Sequence, residues 1–178
     1  GLSFTVALAD AGFEVFGVDK DHTVLQSVEN ANIPYPEPLV EEYLEKYESR
    51  IHPLDSIDKA VSSSDMSFIF VNTPLNEGDH SLEYVEQVTK SVGQALEGRD
   101  EVHTVVVRST VTPGTTTGRI RSWLENASGQ TVGEEIGLCY HPEFSAIGEI
   151  TESLQSPDFF LVGEFDEASG EHLSELCR

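Results

Sequence analysis

Short segments that are apolar on consecutive residues recur along the chain, each separated from the next by a stretch with helical spacing. "MSFIFVNTP" (66–74), "HTVVVRST" (103–110) and "IGLCYHPE" (136–143) are the clearest such segments. A strand apolar at successive positions has both faces buried, which fits a parallel sheet covered by helices on its two sides. The chain therefore reads as a doubly wound α/β domain occupying 1–178, a length that suits one domain with a sizeable core.

The spacing predicts a helix over 2–11 with Phe4, Leu8 and Ala11 on one face and Gly12 as its stop. A short strand follows at 14–18, then helices over 22–30, 39–49 and 56–65, with a proline-rich loop "IPYPEP" before the second of these. "SLEYVEQVTKSVGQAL" (81–96) and the run after Pro113-Gly114 are helices, "DFFLVGE" (158–164) is a last strand, and 166–177 closes as a helix.

The opening "GLSFTVALADAGFEVFGVD" looks like a dinucleotide-binding unit from its helix onward. In such units the last glycine of a Gly-rich turn heads a helix whose N-terminus receives the pyrophosphate. The next strand ends on an acid that accepts from the adenosine ribose hydroxyls. Gly1 heads the helix and Asp19 ends the strand, a separation of 18 against the roughly 20 expected. A carboxylate at that place favours NAD over NADP, because a 2′-phosphate would face it. Lys20 stands beside it and is grouped with the cofactor-binding positions. A first strand and its Gly-rich turn would occupy the middle of such a sheet, so the natural protein is expected to continue upstream.

Three further clusters fall at strand ends, where open α/β sheets bind ligands. They are Asn72, Thr73 and Pro74 in "FIFVNTPL", Ser109 and Thr110 in "VVVRSTVTPGTTT", and His141, Pro142 and Glu143 in "CYHPEF". Thr115 and Thr116 are read as hydroxyl caps of the following helix. Glu143 is placed to orient a substrate, a water or the nicotinamide ribose. Convergence on one crevice is what lifts these clusters above ordinary turn chemistry.

Charge narrows the partners. Asp and Glu number 32 against 10 Lys and Arg, a net charge of −22, and the acids are spread along the chain. Nothing here would neutralise nucleic-acid phosphates. An acidic surface screened by salt suggests a high-salt cytoplasm; the alternative is an acidic protein with a basic partner. No 18-residue apolar run suggests a membrane span. Cys139 and Cys177 are too few for a disulfide framework and form no metal pair, so no metal site is expected.

Taken in order, "GLSFTVALADAGFEVFGVD", "VNTPL", "STVTPGTT" and "HPEF…SPDFFLVGE" closely resemble the N-terminal domain of the UDP-glucose/GDP-mannose dehydrogenase family, over essentially the whole chain. The resemblance implies an NAD-dependent enzyme that oxidises the primary alcohol of a nucleotide sugar to a carboxylate in two hydride transfers. It matches Asp19 to the ribose acid, Thr73 and Thr110 to threonines of the cofactor and reaction site, and Glu143 to the glutamate that assists the chemistry. Cys139, Tyr140, His141, Pro142 and Glu143 match a segment that touches substrate. It also implies a homodimer built through a central helix, and a catalytic cysteine in a C-terminal half, neither of which this sequence contains.

Departures from the family pattern are Val24 where a lysine is common, Ser81 where an aspartate is common, and Ser145, Ala146 and Ile147 in place of the usual run after "PEF". Neither Cys139 nor Cys177 matches the family nucleophile. UDP-glucose, UDP-N-acetylmannosamine and GDP-mannose enzymes share these motifs, and of these a UDP-sugar is favoured as the substrate. A single-hydride β-hydroxyacid dehydrogenase and a non-catalytic NAD-sensing domain are the alternatives.

Overall fold

The computed structural model describes residues 1–33, 37, 39–76, 79–144 and 159–176. Most of "IPYPEP", together with Ser145, Ala146, Ile147 and Cys177, lies outside the described residues. The chain divides into two compact units, Gly1–Ala60 with Phe144–Phe159, and Val61–Glu143 with Phe160–Arg178.

In the first unit α1 (Leu2–Asp10) leads to β1 (Val15–Val18), α2 (His22–Glu29), α3 (Val40–Lys46) and β2 (Ile51–Leu54). Strands β1 and β2 are parallel, with Val15 opposite Ile51 and Val18 opposite Leu54. Val6 and Ala9 of α1 close a core with Ile33, Val40, Leu44 and Ile51. The turn after α1 is made at Gly12, whose φ of 103° suits glycine. The buried face of α1 carries Phe4, Val6 and Ala9. Leu8 is half-buried and Ala11, expected on that face, is exposed because it caps the helix instead of belonging to it. The sequence reading also missed β2, which is four residues long and contains Pro53. With no N–H, that proline is compatible with a strand paired on one side only.

The second unit holds β3 (Met66–Ile69), a hairpin of β4 (Leu75–Asn76) and β5 (Asp79–His80), α5 (Glu83–Leu96), β6 (His103–Val107), a π-helical turn (Thr116–Ile120) running into α6 (Arg121–Ser128), β7 (Ile136–Tyr140), β8 (Gly163–Glu164) and α7 (Glu167–Leu176). Helix α4 (Ile57–Ser62) spans the division. The sheet order is β3-β6-β7-β8. The first three strands are parallel and β8 is antiparallel to β7. Every residue of β6 is buried. Val106 and Cys139 pack on Leu173 of α7. By strand alternation Val105, Val107 and Leu138 point to the opposite face, and they are fully buried as well, so this sheet is covered on both sides. Gly137 is crowded by the neighbouring strand and by α7: a Cβ there would come within 2.8 Å of Thr104 Oγ1 on β6 and 2.9 Å of Ser169 Cβ on α7.

The described strands form three sheets: the parallel pair β1-β2, the antiparallel hairpin β4-β5 and the four-stranded β3-β6-β7-β8. One expectation is corrected here. The last strand is Gly163–Glu164 alone: Phe159, Phe160 and Leu161 are exposed and outside any ladder, and the Leu161 carbonyl accepts from a side chain. Among the described residues no helix is long and apolar enough to cross a membrane.

Candidate functional site

In the first unit Gly1 is the N-cap of α1, and its carbonyl accepts from Thr5 N–H at 2.9 Å. Among the described residues, apart from its chain neighbour and the backbone of α1 itself, no heavy atom lies within 4 Å of where a Cβ would stand on Gly1. Asp19 follows the last residue of β1 and is exposed. Its Oδ1 accepts from the backbone N–H of Asp21 at 2.9 Å, a local turn that holds the carboxylate at the strand end. Asp21 in turn caps α2 by accepting from Thr23 N–H at 2.9 Å and from the Thr23 hydroxyl at 2.7 Å. Those two bonds, the hydroxyl's first, lower the Asp21 carboxyl below its usual range. Lys20 is exposed beside Asp19.

In the second unit the carboxyl ends of β3, β6 and β7 are bound to one another. Ile69, the last residue of β3, accepts at its carbonyl from Arg108 N–H at 3.0 Å and Ser109 N–H at 3.1 Å. The Ser109 hydroxyl donates to the same carbonyl at 3.2 Å and accepts from Val71 N–H at 2.8 Å. His141 N–H donates to the Val107 carbonyl at 2.9 Å. Arg108 Nη2 donates to Glu143 Oε2 across the loops that leave β6 and β7. The three loops carrying Thr73, Thr110 and Glu143 thus leave adjacent strands of one sheet and share hydrogen bonds.

Thr110 and Asn72 are exposed, Pro74 is exposed, and Thr73 is half-buried. The Thr73 carbonyl accepts from His80 Nδ1–H at 2.9 Å, so the β4–β5 hairpin anchors that loop. His141 is buried. Its Nδ1–H donates to the Leu161 carbonyl at 2.9 Å, which leaves Nε2 as the lone-pair nitrogen. Burial, and secondarily the Arg108 charge, pushes this imidazole below its ordinary pKa against the opposing pull of the carbonyl and Glu143, and it is neutral near pH 7. A cavity of about 420 Å³ opens beside the segment that follows Thr110, between Thr112, Pro113, Arg119 and His80.

Several sequence-derived positions have a different local role. Thr115 makes no cap bond; its hydroxyl pairs with that of Thr112 at 3.0 Å, because a π-helical turn and not a regular helical turn begins there. The Ser109 hydroxyl is committed to backbone partners. Cys139 is fully buried among Val106 and Leu173, and burial raises its thiol pKa. Tyr140 and Pro142 are half-buried beside it in sequence. Arg108 was not singled out by sequence reasoning, nor was His80. The signal for Arg108 is its place directly after three valines, where a cation enters the core only with a partner.

In the first unit the head of α1 is open around Gly1 and an exposed acid follows β1, the chemistry that a pyrophosphate and a ribose require; in the second unit hydroxyls and a carboxylate stand at the strand ends. The fold and these groups define an α/β nucleotide-binding domain. The chain belongs to the UDP-glucose/GDP-mannose dehydrogenase family: the model of that family's NAD binding domain matches residues 1–178. It is 36% identical over 172 residues to GDP-mannose 6-dehydrogenase of Pseudomonas syringae pv. syringae, covering 95% of this chain and 39% of that protein. It is 30% identical to UDP-glucose 6-dehydrogenase of Haloferax volcanii, covering 99% of this chain and 41% of that one. The crystal structure of a ternary complex of GDP-mannose dehydrogenase from Pseudomonas aeruginosa superposes with a TM-score of 0.96 at 35% identity, covering 99% of this chain and 41% of that one. The chain therefore spans about two-fifths of the length of the relatives it matches.

Proposed function

We propose that this chain is the cofactor-binding part of an NAD-dependent nucleotide-sugar 6-dehydrogenase, which takes a primary alcohol to the carboxylate in two oxidations. NAD supplies the hydride acceptor. Gly1 lets the pyrophosphate approach the head of α1, and Asp19, with Lys20 beside it, receives the adenosine ribose. Asn72, Thr73, Pro74, Ser109 and Thr110 line the nicotinamide end. Glu143 faces the reacting groups as a hydrogen-bond acceptor, and Cys139 through Pro142 form the segment against the sugar nucleotide. Burial of Cys139 supports the reading that the family nucleophile is another thiol, outside residues 1–178. The observation that carries the proposal is the tying of three strand-end loops, bearing Thr73, Thr110 and Glu143, at one end of one sheet.

The substrate inferred from sequence is a UDP-sugar, UDP-glucose or UDP-N-acetylmannosamine. GDP-mannose is a second reading, favoured by the higher identity to GDP-mannose 6-dehydrogenases, 36% against 30% for the Haloferax UDP-glucose enzyme. We read the intact protein as a cytoplasmic homodimer. The charge of −22 supports adaptation to high salt. Thermal stability that rises in molar KCl is the expected result, and no rise removes that reading. The functional test is the amount of NADH formed per nucleotide sugar consumed by the intact protein, with each of the three substrates offered in turn. Two NADH per sugar is expected. One would move the assignment to the single-hydride class, and none to an NAD sensor.

A further inference from the structure

We propose that Arg108 is the positioning residue for the Glu143 carboxylate, an inference that rests on the role given to Glu143 above. Arg108 leaves β6 directly after Val107, and its backbone N–H is held by the Ile69 carbonyl at 3.0 Å. Its side chain is 1% exposed, whereas that of Glu143 is 29% exposed. The guanidinium carbon lies 5.1 Å from the centroid of the Phe70 ring. Nη2 donates to Glu143 Oε2. The cation is therefore fixed by its backbone, by an aromatic face and by the carboxylate itself.

A guanidinium removed from water to this degree is stable beside an anion and costly without one. Its planar fork also sets the direction of the carboxylate, which a flexible ammonium would not. Glu143 is accordingly presented as an ionised acceptor in one orientation, with part of its surface open to a reacting group. Among the described residues His141 also faces this pair; burial pushes its imidazole pKa down, against the raising effect of the Leu161 carbonyl. Arg108 is the cation in direct ion-pair contact with Glu143.

The test is steady-state oxidation by the intact protein across pH, with Glu143→Gln, Arg108→Met, Arg108→Lys and the double variant Arg108→Met/Glu143→Gln. Glu143→Gln is expected to lower kcat by about 100-fold. Arg108→Met keeps an apolar stem against Phe70 without the charge. It is expected to lower kcat about tenfold or more with KM within about threefold, and to move the acid limb of the rate profile up by about one pH unit. In the double variant Arg108→Met adds no more than about twofold to the loss from Glu143→Gln. Arg108→Lys is expected to return the acid limb close to its original place. An unmoved acid limb, or losses that multiply in the double variant, overturns the proposal while the assignment of Glu143 stands. Full activity in Glu143→Gln removes the assignment of Glu143, and the role of Arg108 with it. Should Arg108→Met fail to fold, Arg108→Lys decides the matter: a fall in kcat of about threefold that vanishes in the Glu143→Gln background supports positioning, and an additive fall contradicts it.

Discussion

Asp19 and Glu143 are both carboxylates placed just beyond the end of a parallel strand, yet they are held by different means. Asp19 is exposed and oriented by a backbone N–H two residues away, within the turn that starts α2. Glu143 is oriented by a guanidinium 35 residues distant, itself buried between strands. The first arrangement depends on a few consecutive residues and little else. The second depends on the whole sheet of its unit being packed correctly, since Arg108 reaches Glu143 only if β6 and β7 lie in register. Under the proposed roles, a ribose acid needs only to be available, whereas a group that works on a reacting atom has to be fixed in direction.

That contrast is open to attack, beginning where the effects are largest. Leu173→Ala opens a cavity under β6 and β7, and should lower stability by about 3 kcal/mol in urea unfolding. Sugar oxidation should fall with it even below the unfolding range. An intact rate would show that Glu143 does not need the sheet.

The acid side should show an effect of similar size. His103 is fully buried, its Nδ1–H donating to the Ser64 carbonyl and its Nε2 accepting from the Ser67 hydroxyl at 2.8 Å. Burial, and then the Arg99 charge, brings its pKa from 6.5 to about 4, against the raising effect of the Ser64 carbonyl. Below pH 6.5 the unfolded chain takes a proton that the folded chain refuses. The stability due to this group is therefore complete above about 6.5 and falls with pH until about 4. The interval corresponds to about 3 kcal/mol, at roughly 1.4 kcal/mol per pH unit. Urea midpoints between pH 7 and 4 for the natural protein and for His103→Gln should diverge by that amount, and parallel curves would refute it.

Gly137→Ala tests the close approach of α7 to β7 and should cost about 2 kcal/mol, because the new Cβ meets Thr104 and Ser169. No loss on chemical denaturation would mean that α7 sits farther from the sheet. The smallest effect belongs to the local arrangement: Asp21→Ala should weaken NAD binding by roughly two- to threefold, by loosening the start of α2, and leave kcat unchanged. A large kcat effect there would erase the distinction between the two carboxylates.

The same distinction explains what was legible in the sequence. Helix α5, strands β6 and β7 and the turn at Gly12 follow from periodicity and turn chemistry over adjacent residues, and the place of Asp19 just after β1 was readable for the same reason. Strand β2 escaped because four residues containing Pro53 give no alternation to count; only pairing with β1 makes them a strand. The run 159–162 is apolar enough to be read as a strand, but its Leu161 carbonyl bonds to His141 and the side chains of Phe159, Phe160 and Leu161 are exposed. Ala11 was placed on a buried face by counting steps of four and three from Phe4 through Leu8, one residue past the point where the helix stops. Arg108 stood in plain view within "VVVRST", but its partner is a matter of strand register, which no local pattern carries.

The central claim, that the acid ending β1 receives the adenosine ribose of NAD, is tested most directly by calorimetric titration of the intact protein with NAD and with NADP, before and after Asp19→Ser. The account predicts that NAD binds more tightly by about tenfold or more, and that the substitution weakens NAD and removes most of the preference. Equal affinity for the two dinucleotides in the natural protein, or a preference unchanged in Asp19→Ser, would contradict it.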